Sequence, residues 1–249
     1  MEANGSLLAT ILEGVKQLAK PGVSTLELDR FAEDGIRRAG AVPAFKGYRG
    51  YKATLCTSLN HEVVHGIPSK KRILAEGDIL SVDIGLMKDG LFADMAVTIP
   101  IGTVSEEVLR FLRVSEESLE AAIRKAWPGN RLGDISHAVQ SHVERHGYSV
   151  VRDYVGHGLG YALHEEPVVP NFGKPGTGPR LEPGMVLAIE PMVNMGGYEV
   201  QTLSDGWTVV TVDGSLSAHF EHSVAVTESG PRVLTQHPGK GKKGDVSTA

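Results

Sequence analysis

Four carboxylates lie inside apolar segments of this 249-residue sequence, where an ionised side chain is costly unless it is paired or bound to a metal. Asp83 lies in ILSVDIG, Asp94 in LFADMAVTI, Glu190 at the end of MVLAIE, and Glu221 in AHFEHSVAV. A single acid within a strand more often lies at a bulge, lies on an edge strand or pairs with an arginine. Four such acids on central strands would repel one another strongly, and two divalent cations between them would remove that repulsion. The four acids together therefore predict a two-metal site.

Histidines supply the remaining candidate groups. His157 lies in VGHGLG, where the flanking glycines would let a metal or a substrate backbone approach closely. A histidine in such a loop is more often structural, but imidazole added to four carboxylates favours Co, Mn, Fe, Zn or Ni over Ca or Mg. His65 in VHGIP and His164 in HEEP are further candidates for substrate contact or proton transfer.

An internal repeat shows how these groups would be brought together. The segment Gly77–Asp83 is echoed by Gly184–Glu190, an offset of 107 residues (184 − 77), and AKPG at 19–22 is echoed by AWPG at 126–129 at the same offset. Two matches at one offset indicate a duplicated chain. The matched acids Asp83 and Glu190 would then face each other where the halves meet.

The helical patterns follow the same plan. Apolar residues at spacings of three and four predict helices over 7–19 and 106–126. Each is followed by a Pro-Gly turn and a second helix, at about 25–39 and about 135–146, that stops at a glycine, and each half then continues into strands. We therefore expect an α+β fold with pseudo-twofold halves at about 7–100 and 106–230, one shared sheet and helices outside. A single catalytic domain would cover 1–236. The polar, Gly- and Lys-rich segment 237–249 is predicted to be a disordered tail.

Net charge, the length of apolar runs and the cysteine count limit the kinds of partner and the cellular compartment that we expect. The net charge of −5 favours neither nucleic acid nor an anionic membrane as a partner. The apolar runs are shorter than the roughly 20 residues that span a bilayer, and the N-terminal segment lacks the basic region of a signal peptide. The single cysteine, Cys56, excludes an internal disulfide and fits a reducing compartment, so we expect a cytoplasmic protein.

Five segments together resemble the type I methionine aminopeptidases, in their bacterial single-domain form within peptidase family M24. They are NHEVVHGIP (60–68), DIGLMKDGLFADMAVTI (83–99), GHGLGYALHEEP (156–167), EPGMVLAIEPMV (182–193) and DGWTV…SLSAHFEHSVAVTESG (205–230). The resemblance runs from the first helix to about Leu234. It implies the pita-bread (creatinase/aminopeptidase) fold, with duplicated halves around a curved antiparallel sheet. It also implies a metal-dependent hydrolase that removes the N-terminal methionine and prefers a small second residue.

The resemblance also implies roles for individual residues. Asp83 and Asp94 would bind one metal, with Asp94 also reaching the second, while His157 and Glu190 would bind the second and Glu221 would bridge both. Glu190 would also be the general base.

Substrate contacts follow from the same resemblance. His65 would lie near the scissile amide nitrogen and His164 near the carbonyl oxygen. The methionine pocket would be lined by Tyr48, Tyr51, Cys56, Leu163 and Trp207. Two positions depart from the commonest family pattern, because Phe45 stands where some members have cysteine and Leu163 where an aromatic residue is frequent.

Two alternatives remain open at this point. An Xaa-Pro aminopeptidase or dipeptidase would share the fold, but such enzymes usually carry an extra N-terminal domain, for which residues 1–55 leave no space. A non-catalytic homologue would have lost metal ligands, and this chain keeps all five. The implied partners are N-terminal Met peptides and nascent chains, with transient ribosome association and no direct contact with nucleic acid or membrane. We expect a monomer.

Overall fold

The computed structural model describes residues 1–239, which form helices outside an antiparallel β-framework. The helices are α1 (Glu2–Leu18), α2 (Thr25–Arg38), α3 (Glu106–Ile123) and α4 (Leu132–Arg145). The strands are β1 (Val42–Pro43), β2 (Leu55–Leu59), β3 (Glu62–Val64), β4 (Ile79–Lys88), β5 (Leu91–Pro100), β6 (Ser149–Val150), β7 (Gly156–Gly158), β8 (Glu165–Val169), β9 (Val186–Ile189), β10 (Met192–Asn194), β11 (Val200–Thr202), β12 (Val209–Thr211), β13 (Ser217–His219), β14 (Glu221–Thr227) and β15 (Gly230–Val233). None of the helices within this range is long and apolar enough to cross a membrane.

The four predicted helices are present, and local signals explain their ends. Ser24 caps α2 in a capping box with Glu27, and the Ser105 side chain accepts the Val108 N–H at the start of α3. Gly40 and Gly147 follow α2 and α4 with φ of 69° and 84°. This left-handed conformation is why glycine ends both helices.

The predicted starts of two helices are wrong. The α1 helix begins at Glu2 rather than at residue 7, and α4 begins at Leu132 rather than at residue 135. In α1 the polar Asn4 is buried because its amide donates to the carbonyls of Lys88 and Leu91. Gly5 packs so closely that a Cβ would lie 2.2 Å from the Leu234 carbonyl oxygen. A search for apolar periodicity therefore misses the first turn of α1, because its buried residues are a polar side chain and a glycine that are held by tertiary contacts.

The main sheet has nine strands, and its order mirrors the internal repeat. Its path runs β1-β4-β5-β14-β9-β7-β8, with β2 also paired to β4 and β15 to β14. The order β2-β4-β5-β14-β9-β7 is symmetric about the β5–β14 junction, which places the repeat-related strands β4 and β9 at equivalent positions. The prediction of duplicated α+β halves around one antiparallel sheet is confirmed.

Each half of the sheet has its own helix pair and apolar core. Leu8 and Leu12 of α1 and Leu28 of α2 pack in one core with Leu80 and Ile84 of β4. The second core contains α3 and α4 side chains together with those of β9 and β14. The opposite face of the central strands is therefore available for a site.

The predicted tail lies almost entirely beyond the described part of the chain. Residues 237–239 are described, with a turn at 238–239, whereas residues 240–249 fall outside the described range. Disorder of this segment stays a prediction.

Candidate metal centre and substrate pocket

A tight hairpin places the first two acids. Asp89 and Gly90 connect β4 to β5 with φ of 53° and 76°, and positive φ at both turn residues is typical of a two-residue hairpin loop. The resulting register pairs Asp83 with Ala96 and Gly85 with Asp94. Asp83 and Asp94 are therefore diagonal neighbours on one face of the sheet.

The second half of the chain completes the cluster across the β5–β14 junction. Glu221, the first residue of β14, pairs with Ala96, so the small Ala96 lies between Asp83 on one side and Glu221 on the other. Glu190 follows β9 directly, and His157 pairs with Ala188 of the same strand. All five predicted ligands thus come from the adjacent strands β4, β5, β14, β9 and β7.

The distances define a compact cluster. One ligand atom from each of Asp94, His157 and Glu221 lies within 4.8 Å of the other two. His157 Nε2 lies 3.5 Å from Glu190 Oε1 and 4.0 Å from Asp94 Oδ2. Asp94 and Glu221 are 4% and 2% exposed, so these carboxylates have little access to bulk water.

Burial and mutual repulsion raise the pKa of all four acids. Burial is the main cause in each case, and the charge of a neighbouring acid adds to it: Glu190 for Asp83, Asp83 for Asp94, and Asp94 for both Glu190 and Glu221. Bound cations would reverse this shift, because they favour the ionised form.

Two observations show that the donor set fits divalent metal ions. Asp83 Oδ1, Asp94 Oδ1 and Glu221 Oε1 are buried and find no hydrogen-bond partner among the described residues. His157 Nδ1 lies 2.9 Å from the Gly158 carbonyl oxygen and donates to it, which leaves the lone pair on Nε2 facing the carboxylates. A lone pair directed at carboxylate oxygens 3.5–4.0 Å away needs a proton or a metal cation between them, and a divalent cation would also satisfy the three orphaned oxygens.

The glycines beside His157 are required for a different reason from the one predicted. A Cβ on Gly156 would lie 2.3 Å from the Ala188 carbonyl oxygen, and one on Gly158 would lie 2.3 Å from that of Glu166. The neighbouring strands β9 and β8 fill this space. The prediction that these glycines leave room for metal or substrate is wrong, because the glycines instead let β7 fit between two strands.

A cavity of about 280 Å³ opens onto the cluster and brings together every residue named from the sequence. It is lined by Asp83, Asp94, His157, Glu190 and Glu221, by His65 and His164, and by Tyr48, Tyr51, Cys56, Leu163 and Trp207. Phe45, the other departure from the family pattern, also lines it.

One end of the cavity is apolar. Phe45, Tyr51, Cys56 and Leu163 are at most 8% exposed and belong to one cluster, against which Trp207 packs. The Tyr51 hydroxyl donates to the Leu55 carbonyl at 2.9 Å, so it does not present an unpaired polar group to the pocket. Burial raises the pKa of the Cys56 thiol, which keeps this wall uncharged.

The two non-ligand histidines are held by aromatic contacts. The Tyr48 ring stacks on His164 with centroids 5.1 Å apart and an interplanar angle of 25°, and His164 in turn lies 4.2 Å from the His157 ring. Burial, followed by the charge of His157, lowers the pKa of His164 to about 4. His65 has a φ of 61°, which is uncommon outside glycine, and contacts the rings of Tyr154 and Trp207.

Three residues near the ligand cluster were not predicted from the sequence. Ser223 accepts the Asp94 N–H at 3.0 Å and donates to the Asp94 carbonyl at 2.7 Å. Tyr154 lines the cavity. His219 is 2% exposed, its Nε2 lies 3.4 Å from Glu190 Oε2, and burial lowers its pKa to about 3. Strand alternation was the available signal, since residues 219, 221 and 223 share one side of an extended chain.

Comparison with known proteins identifies the family of this chain. The model of metallopeptidase family M24 matches residues 1–228. Methionine aminopeptidase of Clostridium acetobutylicum is 54% identical over 235 residues, covering 94% of each chain, and methionine aminopeptidase 1 of Bacillus subtilis is 52% identical over 236 residues, covering 95% of each. The crystal structure of methionine aminopeptidase from Thermotoga maritima superposes with a TM-score of 0.94 at 48% identity, covering 95% of both chains.

The chain belongs to metallopeptidase family M24 and, within it, to the bacterial type I methionine aminopeptidases. It therefore has the pita-bread fold and is a metal-dependent aminopeptidase.

Proposed function

We propose that this enzyme hydrolyses the peptide bond after an N-terminal methionine, with preference for a small second residue, using two divalent metal ions. The observation that carries the proposal is the contact between a buried ligand cluster and an apolar pocket within one cavity. The cluster suits the chemistry at the scissile bond, and the pocket suits the side chain that precedes it.

The proposed ligands are divided between two ions. Asp83 and Asp94 would hold the first ion, His157 and Glu190 would hold the second, and Glu221 would be shared by both, with Asp94 also reaching the second. The mixture of carboxylates with one imidazole suits Co, Mn, Fe, Zn or Ni. When bound, the ions would supply Lewis acidity, which polarises a carbonyl and acidifies a water molecule.

The protein's own groups then handle the proton and the substrate. Glu190 accepts the proton of the attacking water and passes it to the leaving amine. His164 contacts the carbonyl oxygen and His65 the amide nitrogen. The lowered pKa of both histidines keeps each imidazole neutral near pH 7, so that His164 can donate its ring N–H to the carbonyl oxygen and His65 can accept the amide N–H at its unprotonated ring nitrogen.

The pocket would select the first residue by shape and polarity. Tyr48, Tyr51, Cys56, Leu163 and Trp207 offer no charge to a side chain that enters. Methionine is flexible and apolar, so it can fill such a space. Among these five side chains a lysine or glutamate would lose its hydration without gaining a charged partner.

A panel of X-Ala-Ser tripeptides, together with Met-Pro-Ser, tests the proposal with protein that is stripped of metal and then reconstituted with Mn²⁺. Norleucine in place of methionine should lower kcat/KM by about 10-fold or less, because apolar pockets discriminate weakly between isosteres. Lysine or glutamate should lower it by about 100-fold or more. Equal rates for Met and Lys would refute the pocket assignment, and a clear preference for X-Pro bonds would identify the enzyme as an Xaa-Pro aminopeptidase or dipeptidase.

A matched pair of variants on the β4–β5 hairpin tests the metal site. Asp94→Ala should abolish turnover and sharply weaken metal uptake. Asp89→Asn changes an exposed acid in the turn of the same hairpin to a residue that also tolerates positive φ, and it should behave like wild type. Near-normal turnover of Asp94→Ala with its metals in place would exclude Asp94 as a ligand.

The setting of the reaction follows from the proposed substrate. We place the enzyme in the cytoplasm as a monomer with one catalytic domain over residues 1–236, acting on nascent chains during transient contact with the ribosome. Co-sedimentation with ribosomes that carry a Met-initiated chain tests this contact, and a sedimentation profile unchanged by ribosomes would exclude it.

A further inference from the structure

The two carboxylate oxygens of Glu190 face different histidines. Oε1 lies 3.5 Å from Nε2 of His157, on the side of the ligand cluster. Oε2 lies 3.4 Å from Nε2 of His219, on the other side. A hydrogen bond to Oε2 would therefore hold the carboxylate with Oε1 directed at the cluster.

We propose that His219 is a positioning residue that donates its Nε2–H to Oε2 of Glu190 and so holds Oε1 toward the metal site. Within the part of the chain that the structure describes, His219 does not belong to the residues that line the cavity. It therefore acts on the substrate only through Glu190. The inference rests on the metal site proposed above.

The position of His219 is itself firmly anchored. Thr98 Oγ1 accepts the His219 N–H at 2.8 Å and donates to the His219 carbonyl at 2.9 Å. The Thr98 hydroxyl also lies 2.8 Å from Ser81 Oγ. In addition, His219 pairs with Met192, two residues after Glu190. The imidazole and the carboxylate are thus carried on neighbouring, hydrogen-bonded segments.

Without this contact, Nε2 of His219 would have no hydrogen-bond partner among the described residues. This atom is buried and makes no hydrogen bond of standard geometry with the described residues, and the Glu190 carboxylate is 3.4 Å away. A buried polar atom without a partner is costly, so a contact with the adjacent carboxylate accounts for a histidine at this position. Active-site hydrogen bonds of this length commonly tighten once the site is assembled.

The test compares two substitutions of similar volume, one that removes the hydrogen-bond donor and one that keeps it. His219→Leu removes the N–H, whereas His219→Gln retains an N–H donor. Metal affinity of the metal-free proteins is measured by calorimetry with Mn²⁺ alone, and kcat and KM are measured separately with Met-Ala-Ser. The Leu variant should bind Mn²⁺ about 10- to 100-fold more weakly, with kcat reduced more than KM is changed, and the Gln variant should recover most of both losses.

Controls separate positioning from general damage. His222→Gln changes the neighbouring histidine, whose Nδ1 lies 2.8 Å from Thr235 Oγ1, and it should leave Mn²⁺ affinity unchanged. If His219→Leu does not fold, His219→Met, which is flexible and also lacks a donor, replaces it. Wild-type Mn²⁺ affinity in a folded Leu or Met variant would overturn the proposal. A Gln variant as impaired as the Leu variant would do so too. Failure of the wild-type enzyme to cleave methionine would instead count against the proposed function, because the Mn²⁺ titration does not depend on cleavage.

Discussion

The buried acids should make the stability of the metal-free protein depend on pH. Burial, followed by the charge of Asp83, raises the pKa of Asp94, so the folded metal-free protein holds a proton there that the unfolded chain releases above about pH 4. A group with a raised folded pKa contributes stability at low pH and loses it as the pH rises toward that folded pKa. Asp94→Asn removes this loss, because the amide is nearly isosteric and does not titrate.

The size of the effect follows from the proton balance. One proton bound only in the folded state lowers the free energy of unfolding by about 1.4 kcal/mol per pH unit. As the pH rises from about 4 toward the folded pKa of Asp94, metal-free Asp94→Asn should therefore gain stability relative to metal-free wild type at up to this rate, which for a chain of this length is about 3 °C in Tm per pH unit. The lowered folded pKa of His65 and His164 makes stability rise with pH through about 6.5, but both histidines are present in both proteins and neither shift arises from Asp94, so they cancel in the difference.

Thermal unfolding with a chelator at several pH values, repeated with excess Mn²⁺, measures this difference. The variant should be the more stable protein without metal at pH 7. Wild type should be the more stable with metal, since ligand binding to the folded state adds stability that the variant loses. A gap that stays constant from pH 5 to pH 7 would refute the reasoning. So would a metal-free variant less stable than wild type.

Three further substitutions test other parts of the site. His164→Ala should lower kcat/KM by about 100-fold and leave Mn²⁺ affinity intact; loss of metal in calorimetry would make His164 a ligand. Gly66→Ala should lower stability by about 1–3 kcal/mol in thermal unfolding, because its Cβ would lie 2.2 Å from the Thr57 carbonyl oxygen, and an unchanged Tm would contradict that close approach. Tyr48→Leu removes the ring stacked on His164 and should lower kcat about 3- to 10-fold with little change in KM; a change confined to KM would make Tyr48 only a pocket wall.

The sequence by itself determined the identity of the chemistry-bearing groups. Asp83, Asp94, Glu190 and Glu221 are conspicuous because each interrupts an apolar run, and ionised groups are not buried without compensation. The 107-residue offset identified the duplication, since repeated segments fold alike. These signals are local or periodic, so they can be detected without coordinates.

Only the tertiary structure decided how distant segments meet. The register that places Ala96 between Asp83 and Glu221 depends on the pairing of β5 with β14, which are far apart in sequence. For the same reason the glycines around His157 were misread, because the strands that fill their space come from elsewhere in the chain. Strand alternation places His219 on the same side as Glu221 and Ser223, but its partner is decided only when folding brings its Nε2 within 3.4 Å of Glu190 Oε2. Contacts between segments distant in sequence depend on packing of the whole sheet, and no pattern within a single segment encodes them.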